Sequence, residues 1–223
     1  MGTITIDGLE VPGTAPSLEA FREWVAGLDE HGPRVHFSRG NMHFEMRGPS
    51  RRAGGPLAQA INVSLERLAT ELDLGEYWLP PAWITCPSTE LSAAPDGFLV
   101  SWQSYRDGVV RVNPERPTEW IGRPDMALAV VSPSSVEKDL HDLVEDYAAA
   151  GVRECWIADA RSGPVELRIL ALGRSGAHRD QGAGRGGWIA SPLWERSFRI
   201  EQFTNRVGLT RFRLLSRDRP KGR

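Results

Sequence analysis

Three residues of this sequence have side chains that could act together on a phosphodiester. They are Asp96 in "PDGFLVSW", Asp125 in "PDMALAVVSPSSVEKD", and Lys138 near the end of that second segment. A hard divalent ion such as Mg²⁺ is typically held by one or two carboxylates, water and a substrate phosphate. The ion polarises the phosphate, and a nearby lysine orients the attacking water or stabilises charge in the transition state. The combination indicates metal-dependent hydrolysis.

Each of these residues also has an ordinary structural explanation. A proline before an aspartate sets an extended backbone, and the aspartate caps the preceding turn. Lys138 is the only lysine before the extreme C-terminus, and a solvated lysine on a loop accounts for it equally well. Both explanations stay open from the residues alone.

The spacing within "PDMALAVV" limits which carboxylates could share one ion. In a strand, Asp125 and Ala129 point to the same face, but they are about 13 Å apart at ~3.3 Å per residue. One ion cannot bind directly at both positions. A carboxylate at position 129 would have to pair with Asp96 on a neighbouring strand, and this sequence has an alanine there. Asp125 is then a cap or, at most, an outer-shell metal group.

The elements that position these residues follow from hydrophobic periodicity. Residues 17–30 predict an amphipathic helix after a Ser17 cap, and "RVHFS" and "MHFEM" predict a hairpin. After a flexible connection, "GPSRRAGGP", a second helix over residues 56–73 starts at Pro56. The predicted buried stripe of that helix is Leu57, Ile61, Leu65, Leu68 and Leu72.

The second half of the sequence predicts a sheet. Period-two patterns give an irregular strand in "YWLPPAWITC" and clearer strands in "PDGFLVSW" and "GVVRV". Residues 126–131 are apolar on both faces, which predicts a central strand with a layer on each side. A helix over residues 136–150 and the strand "ECWIAD" complete a βαβ-like unit, and antiparallel strands follow in "PVELRILAL", "FRIEQF" and "LTRFRLL". We therefore predict an α/β (α+β) fold, a mixed sheet flanked by helices.

Composition narrows the class of protein. The 223 residues are 40% hydrophobic, enough for one packed domain, and no run reaches the roughly 18 apolar residues of a membrane span. The net charge of −2 provides no overall field for nucleic acid, so such binding must come from local patches. Cys86 and Cys155 are far apart and lack a metal-type spacing, which indicates reduced thiols in a cytoplasmic protein.

The order of "PDGFLVSW", "PDMALAVVSPSSVEKD", "AGVRECWIADAR" and "GWIASPLWERSFRI" resembles a known family. It is similar to the Uma-type (Uma-two) "putative restriction endonucleases" of the PD-(D/E)XK nuclease superfamily. The resemblance implies a restriction-endonuclease-like domain over residues 33–215, with an N-terminal hairpin and extra C-terminal strands. A helical segment, residues 1–32, would pack on this domain, and residues 216–223 would form a disordered basic tail.

The same resemblance implies hydrolysis of DNA with Mg²⁺ or Mn²⁺, with Asp96 as the metal ligand of the first strand. The family has a glutamate at the position of Ala129, so a ligand position is lost. The superfamily lysine would be at Val131, and in many members it has moved to a helix position that is Leu143 here. Lys138 fits a subset in which the lysine comes just before that helix. A histidine often found near residues 54 and 55 is replaced by glycines.

Loss of one of two metal-binding carboxylates leaves Asp96 to hold the ion almost alone. Losses of this kind cost on the order of 3 to 6 kcal/mol of transition-state stabilisation, and the ion itself would bind weakly if at all. Glu45 and Glu90 are candidates for a substitute acid, and a surface role is the alternative for each.

Two main functional hypotheses result. The chain is either a metal-dependent endonuclease impaired by Ala129, or a catalytically inactive nuclease-fold protein that binds nucleic acid or regulates; a purely structural domain is the third hypothesis. Phosphate contacts would come from Arg47, Arg51 and Arg52 and from arginines between 206 and 223. The tryptophans at 188 and 194 would suit either a homodimer surface or the core.

Overall fold

The computed structural model describes residues 3–6, 9–12, 17–28, 34–45, 51–132 and 142–219. The helices are α1 (Leu18–Val25), α2 (Arg51–Glu71), α3 (Trp102–Arg106) and α4 (Leu143–Ala149). The strands are β1 (Thr3–Ile6), β2 (Leu9–Pro12), β3 (Arg34–Ser38), β4 (Asn41–Glu45), β5 (Gly75–Trp78), β6 (Trp83–Cys86), β7 (Leu91–Ala93), β8 (Gly97–Ser101), β9 (Val110–Val112), β10 (Glu119–Gly122), β11 (Met126–Val130), β12 (Glu154–Asp159), β13 (Glu166–Leu172), β14 (His178–Asp180), β15 (Ile189–Ser191), β16 (Arg196–Thr204) and β17 (Thr210–Asp218).

A six-stranded mixed sheet lies at the centre, in the order β14-β13-β12-β11-β8-β5. The strands β11 and β12 are parallel, and the other neighbours in this sheet are antiparallel. A parallel pair needs a crossover connection, and α4 lies in the chain between these two strands. The predicted mixed sheet and βαβ-like unit are confirmed. The first part of the predicted helix, residues 136–141, lies outside the described residues.

The strand β11 is buried on both faces, as its continuous apolar sequence predicts. Met126 and Leu128 belong to a core cluster with α2 and the C-terminal strands. Ala127 lies on the opposite face, in a second cluster shared with α4 and a second sheet. Alternation along a strand sends successive side chains to opposite faces, so β11 forms part of two cores at once.

The second sheet has the order β4-β3-β7-β6-β10-β9 and faces the central sheet across the second cluster. The helix α1 packs on it through Phe21, which stacks on Phe37 at a centroid distance of 5.3 Å. Ser17 caps this helix, as predicted, because its Oγ accepts the N–H of Ala20 at 3.2 Å. The helix ends at Val25, five residues earlier than the predicted end at residue 30.

The second helix differs from its prediction at both ends. It begins at Arg51, so Pro56 is inside it and part of "GPSRRAGGP" is helical rather than a flexible connection. Arg51, Arg52 and Ala53 are good helix formers, but Gly54 and Gly55 are poor ones and Pro56 cannot donate a backbone hydrogen bond. Local propensity therefore does not explain this early start. The predicted stripe is buried from Leu57 to Leu68, but Leu72 is 41% exposed because the helix ends at Glu71 and its periodicity stops there.

Two further predictions are corrected by the strands. "YWLPPAWITC" is two strands, β5 in the central sheet and β6 in the second sheet, because the chain turns at the two prolines between them. Ser216 to Asp218, predicted as the start of a disordered tail, pair with β16 as the end of β17. The C-terminal strands β15, β16 and β17 are antiparallel and form a three-stranded sheet that packs on the same core as the central sheet, as predicted.

A buried carboxylate, Glu119, joins α1 to the second sheet. It accepts hydrogen bonds from Arg22 Nε at 2.7 Å, Thr85 Oγ1 at 2.6 Å and Asn113 Nδ2 at 2.6 Å. Burial raises the pKa of Glu119, but the hydrogen bonds from Arg22, Thr85 and Asn113 outweigh it and lower the pKa to about 2. A carboxylate whose folded pKa is lowered adds stability above its unfolded pKa, and that stability is lost as pH falls toward the folded value.

We therefore expect Glu119→Gln to reduce the free energy of unfolding at pH 7 by about 2 kcal/mol, because it leaves the Arg22 charge without its main partner. The difference from wild type should shrink between pH 4.5, the ordinary value, and about 2, where the wild-type carboxylate is protonated too. Urea unfolding across this pH range measures it. Glu115→Gln is the matched control, because Glu115 is exposed in the loop that precedes β10, and it should change the free energy of unfolding little. An E119Q deficit that persists at pH 2 would contradict the account.

Candidate active site

The strands β8 and β11 bring Asp96 next to Ala129, just beyond the end of their paired residues. Their antiparallel register pairs Leu99 with Met126 and ends where Gly97 pairs with Leu128. The N–H of Asp96 donates to the carbonyl of Leu128 at 2.9 Å, which is offset by one residue from this register, and Asp96 forms a bend before β8. Because Ala129 directly follows Leu128, a carboxylate at 129 would lie near Asp96.

The Asp96 carboxylate holds the end of β11. Its Oδ2 accepts the N–H of Val130 at 2.7 Å, which is one residue past the position where the carboxylate is missing. Its backbone carbonyl accepts Asn62 Nδ2 at 2.9 Å, and Tyr77 Oη donates to Asn62 Oδ1 at 2.9 Å. Burial, followed by the charges of Asp96 and Glu66, raises the pKa of Tyr77 well above 10.0, so its hydroxyl stays a donor. A helix, α2, and an edge strand, β5, together fix the position of Asp96.

Sequence reasoning did not identify Asn62, Tyr77 or Gly97 as support for this site. The signal for Asn62 was a polar residue next to Ile61 on the apolar stripe of α2, and Asn62 is 8% exposed. A Cβ on Gly97 would meet Tyr77 Oη at 2.4 Å and Asn62 Oδ1 at 2.6 Å, so no other residue fits without a shift. The glycine of "PDG" is therefore required by the packing around Asp96.

The other predicted aspartate lies at the far end of the same strand pair. Asp125 is 1% exposed, its Oδ2 accepts the N–H of Ser101 at 2.8 Å, and its Oδ1 lies 3.4 Å from Arg153 Nη1. It is four residues from Ala129, about 13 Å along β11. Its carboxylate therefore caps the end of β8, which is the structural alternative that the sequence analysis gave for Asp125.

Both alternative lysine positions are apolar. Val131 and Leu143 belong to the second core cluster, with exposures of 3% and 6%. The helix α4 is held in place because Asp146 accepts Ser38 Oγ at 2.5 Å and lies 2.9 Å from Arg39 Nε. Lys138 lies outside the described residues, so its position relative to Asp96 stays a prediction.

The structure places the substitute acids in the second sheet. Glu90 is exposed and follows the 3₁₀ helix Pro87–Thr89 with a left-handed backbone, φ 52°. Glu45 ends the edge strand β4, and its side chain lies outside the described part of the chain. Among the predicted phosphate contacts, Arg47 lies outside the described residues, and Arg51 and Arg52 are described only as the backbone that begins α2.

One acid close to Ala129 was not predicted as a site residue. The parallel register pairs Ala129 with Ile157, so Asp159 ends β12 on the same face, about 8 Å from Ala129 by the spacing of a sheet. Its carboxylate binds Arg161, with Nη2 at 2.7 Å from Oδ2. Hydrogen bonds from Arg161 lower the pKa of Asp159, against the effect of burial. The signal was present in "WIAD", an apolar strand that ends in a carboxylate.

These donors do not fit an ion shared between two strand carboxylates. Where the chain is described, no three His, Cys, Asp or Glu side chains come together as a metal site. Next to Asp96 there is only the methyl group of Ala129, and the Asp159 carboxylate forms an ion pair with Arg161. A divalent ion usually needs one or two carboxylates in addition to substrate phosphate, and this site supplies Asp96 alone from the expected pair.

Comparison with known proteins identifies the fold and its lineage. The family Uma2, described as "Putative restriction endonuclease", matches residues 18–193. The chain belongs to the Uma2 family. The resemblance predicted from the sequence is confirmed.

A solved structure supports the same fold for this Uma2 protein. It is described as a "putative nuclease belonging to DUF820" from Anabaena variabilis ATCC 29413, with a TM-score of 0.60 and 12% sequence identity. The match covers 80% of this chain and 90% of that chain. No curated protein matches the sequence significantly. Within the described residues, no helix is long and apolar enough to cross a membrane.

The support around Asp96 gives a direct test. We expect Gly97→Ala to lower the free energy of unfolding by about 2 kcal/mol or more, because a methyl group would displace Tyr77 and Asn62. Gly55→Ala is the control, since a Cβ there meets nothing within 4 Å and alanine favours a helix. Urea unfolding of both variants measures the difference. A neutral Gly97→Ala would show that the residues around Asp96 are not closely packed.

Proposed function

We propose that this Uma2 protein is a metal-dependent DNA endonuclease whose hydrolysis is strongly impaired. One observation carries the proposal: the residue next to Asp96, just past the last paired position of β8 and β11, is Ala129, which has no donor for an ion. The fold and the family support the endonuclease, and the alanine supports the impairment. Removal of one of two ligand carboxylates costs on the order of 3 to 6 kcal/mol, which corresponds to about 10²- to 10⁴-fold in rate.

A second candidate function is a nuclease-fold protein that binds nucleic acid without hydrolysing it. Its specific support is the pair of buried apolar residues, Val131 and Leu143, at the two positions where relatives would have the lysine. Without a lysine at either position, no described cation stands where transition-state charge would develop. The cytoplasmic location and the homodimer stay predictions from the sequence.

Restoring the carboxylate tests the first proposal. We expect Ala129→Glu to bind Mg²⁺ or Mn²⁺ more tightly than wild type and to cleave supercoiled plasmid about 10²- to 10⁴-fold faster. Isothermal titration measures the metal affinity, and plasmid nicking in each metal measures the rate. Single-stranded DNA is assayed in parallel to compare the two substrates.

Two controls separate a restored site from a general effect of a buried glutamate. Ala127→Glu places the same charge on the same face of β11, two residues away and opposite Phe98, and should give neither metal binding nor cleavage. Adding Asp96→Asn to Ala129→Glu should remove the gain. Slow cleavage by wild type that Asp96→Asn abolishes supports the impaired endonuclease. Cleavage by the glutamate variant alone favours the inactive module. If neither protein binds metal or DNA, both proposals are contradicted.

A further inference from the structure

The C-terminal sheet has one face toward the core and one toward solvent. Phe198, Phe212 and Leu214 are buried in the cluster with α2. Alternation along β16 and β17 therefore sends the residues between them to the outer face. The register of this face pairs Arg217 with Ser197 and Arg211 with Phe203. On the outer face lie Arg199, Arg211, Arg213 and Arg217.

Three of these arginines keep their charge available. Glu201 is the cross-strand neighbour of Arg213 on this face, and its carboxylate forms an ion pair with Arg199. In the described ranges, no carboxylate lies within ion-pair distance of Arg211, Arg213 or Arg217. Residues 196–219 as a whole contain seven arginines and two acidic residues, a net charge of +5, while the complete chain has −2. The positive field is therefore local to this sheet.

Aromatic rings hold two of the three guanidinium groups in place. Arg217 lies over Trp188 with its guanidinium carbon 4.1 Å from the ring centroid, and Arg213 lies over Phe203 at 5.2 Å. Stacking on a ring leaves the N–H donors of an arginine free at its edge, and a planar guanidinium binds phosphate through two such donors. The arrangement fixes the arginines without neutralising them.

The dimensions suit a polyanion rather than one small anion. Arg211 to Arg217 span six residues along one face of β17, about 20 Å. Duplex DNA carries one phosphate charge per ~1.7 Å of axis, so about a dozen phosphates pass over that length. Strands β16 and β17 also lie beyond residue 193, where the family match ends. These strands therefore lie in a part of the chain outside the family match, while Asp96 lies inside it.

We propose that the outer face of the C-terminal sheet, Arg211, Arg213 and Arg217 on β17, binds the phosphate backbone of duplex DNA. The choice of DNA rests on the proposed function, and the surface itself rests on the unpaired arginines. A second copy of the chain fits less well, because a two-fold dimer through this face would bring two sets of like charges together. Trp188 is half-buried and orients Arg217 through its ring.

The test measures DNA binding without hydrolysis. Wild type and a triple variant, Arg211→Gln, Arg213→Gln and Arg217→Gln, are titrated by fluorescence anisotropy with a 20-base-pair duplex in EDTA at several salt concentrations. Each phosphate contact contributes about 0.9 to the slope of log K against log salt. We expect the slope to fall by about 2 to 3 and the affinity to fall at least about tenfold near 0.1 M salt.

A charge-matched control uses exposed arginines elsewhere on the surface. Arg106→Gln with Arg111→Gln removes two charges on α3 and β9, and Arg211→Gln with Arg217→Gln removes two charges from the proposed surface. Only the second pair should change the slope. Equal slopes for wild type and the triple variant would overturn the proposal, as would equal effects of the two pairs. Sedimentation of wild type and triple variant checks the other occupant: a dimer that the triple variant breaks, with unchanged DNA affinity, also overturns it.

The outcome is independent of the nuclease proposal because no metal is present. If no variant cleaves DNA but the triple variant loses the salt-dependent binding, the surface stands and the endonuclease falls. If Ala129→Glu cleaves plasmid and the triple variant binds the duplex like wild type, the endonuclease stands and the surface falls.

Discussion

The antiparallel pairing of β8 with β11 is the constraint on which the candidate site depends. Both strands are buried on both faces, and a slip of one residue would send every apolar side chain to the opposite core. The register is therefore fixed by packing on the two sides of the sheet. The pairing ends at Gly97 and Leu128, which leaves Asp96 and Ala129 as neighbours just beyond it. The missing donor is thus a property of the sheet geometry, and no rotation of Asp125 from four residues away can supply it.

The same strand pair gives the two Pro-Asp dipeptides different roles. Asp125 is buried, accepts the N–H of Ser101, and lies against Arg153, so its carboxylate closes the sheet. Asp96 is partly exposed, and its carboxylate accepts the N–H of Val130. Its backbone carbonyl accepts a hydrogen bond from the Asn62 side chain. One dipeptide therefore completes a strand, while the other holds a partly exposed carboxylate next to Ala129. Similar local sequences differ in function because their strands present them to different surroundings.

The C-terminal sheet shows how one alternating pattern can meet two requirements. Its even-numbered residues, such as Phe198 and Leu214, complete the core that covers α2 and the central sheet. Its odd-numbered residues, such as Arg213 and Arg217, form the basic face. A period of two lets the core and the charged surface be set independently on the same strands. The positive charge is concentrated here although the chain is slightly acidic overall.

Much of the fold, and the gap in the site, was determined by the sequence. The continuous apolar run of β11, the stripe of α2 up to Leu68, and the mixed sheet followed from periodicity, and spacing alone excluded Asp125 as a partner of Asp96. The tertiary structure decided the rest, because long-range contacts set it. Strand pairing brought Asp96 next to Ala129 and Asp159 near Ala129, and close packing made Gly97 necessary. Burial assigned Trp194 to the core, while Trp188 lies under Arg217. Local propensity cannot predict such outcomes, since each depends on a residue far away in the chain.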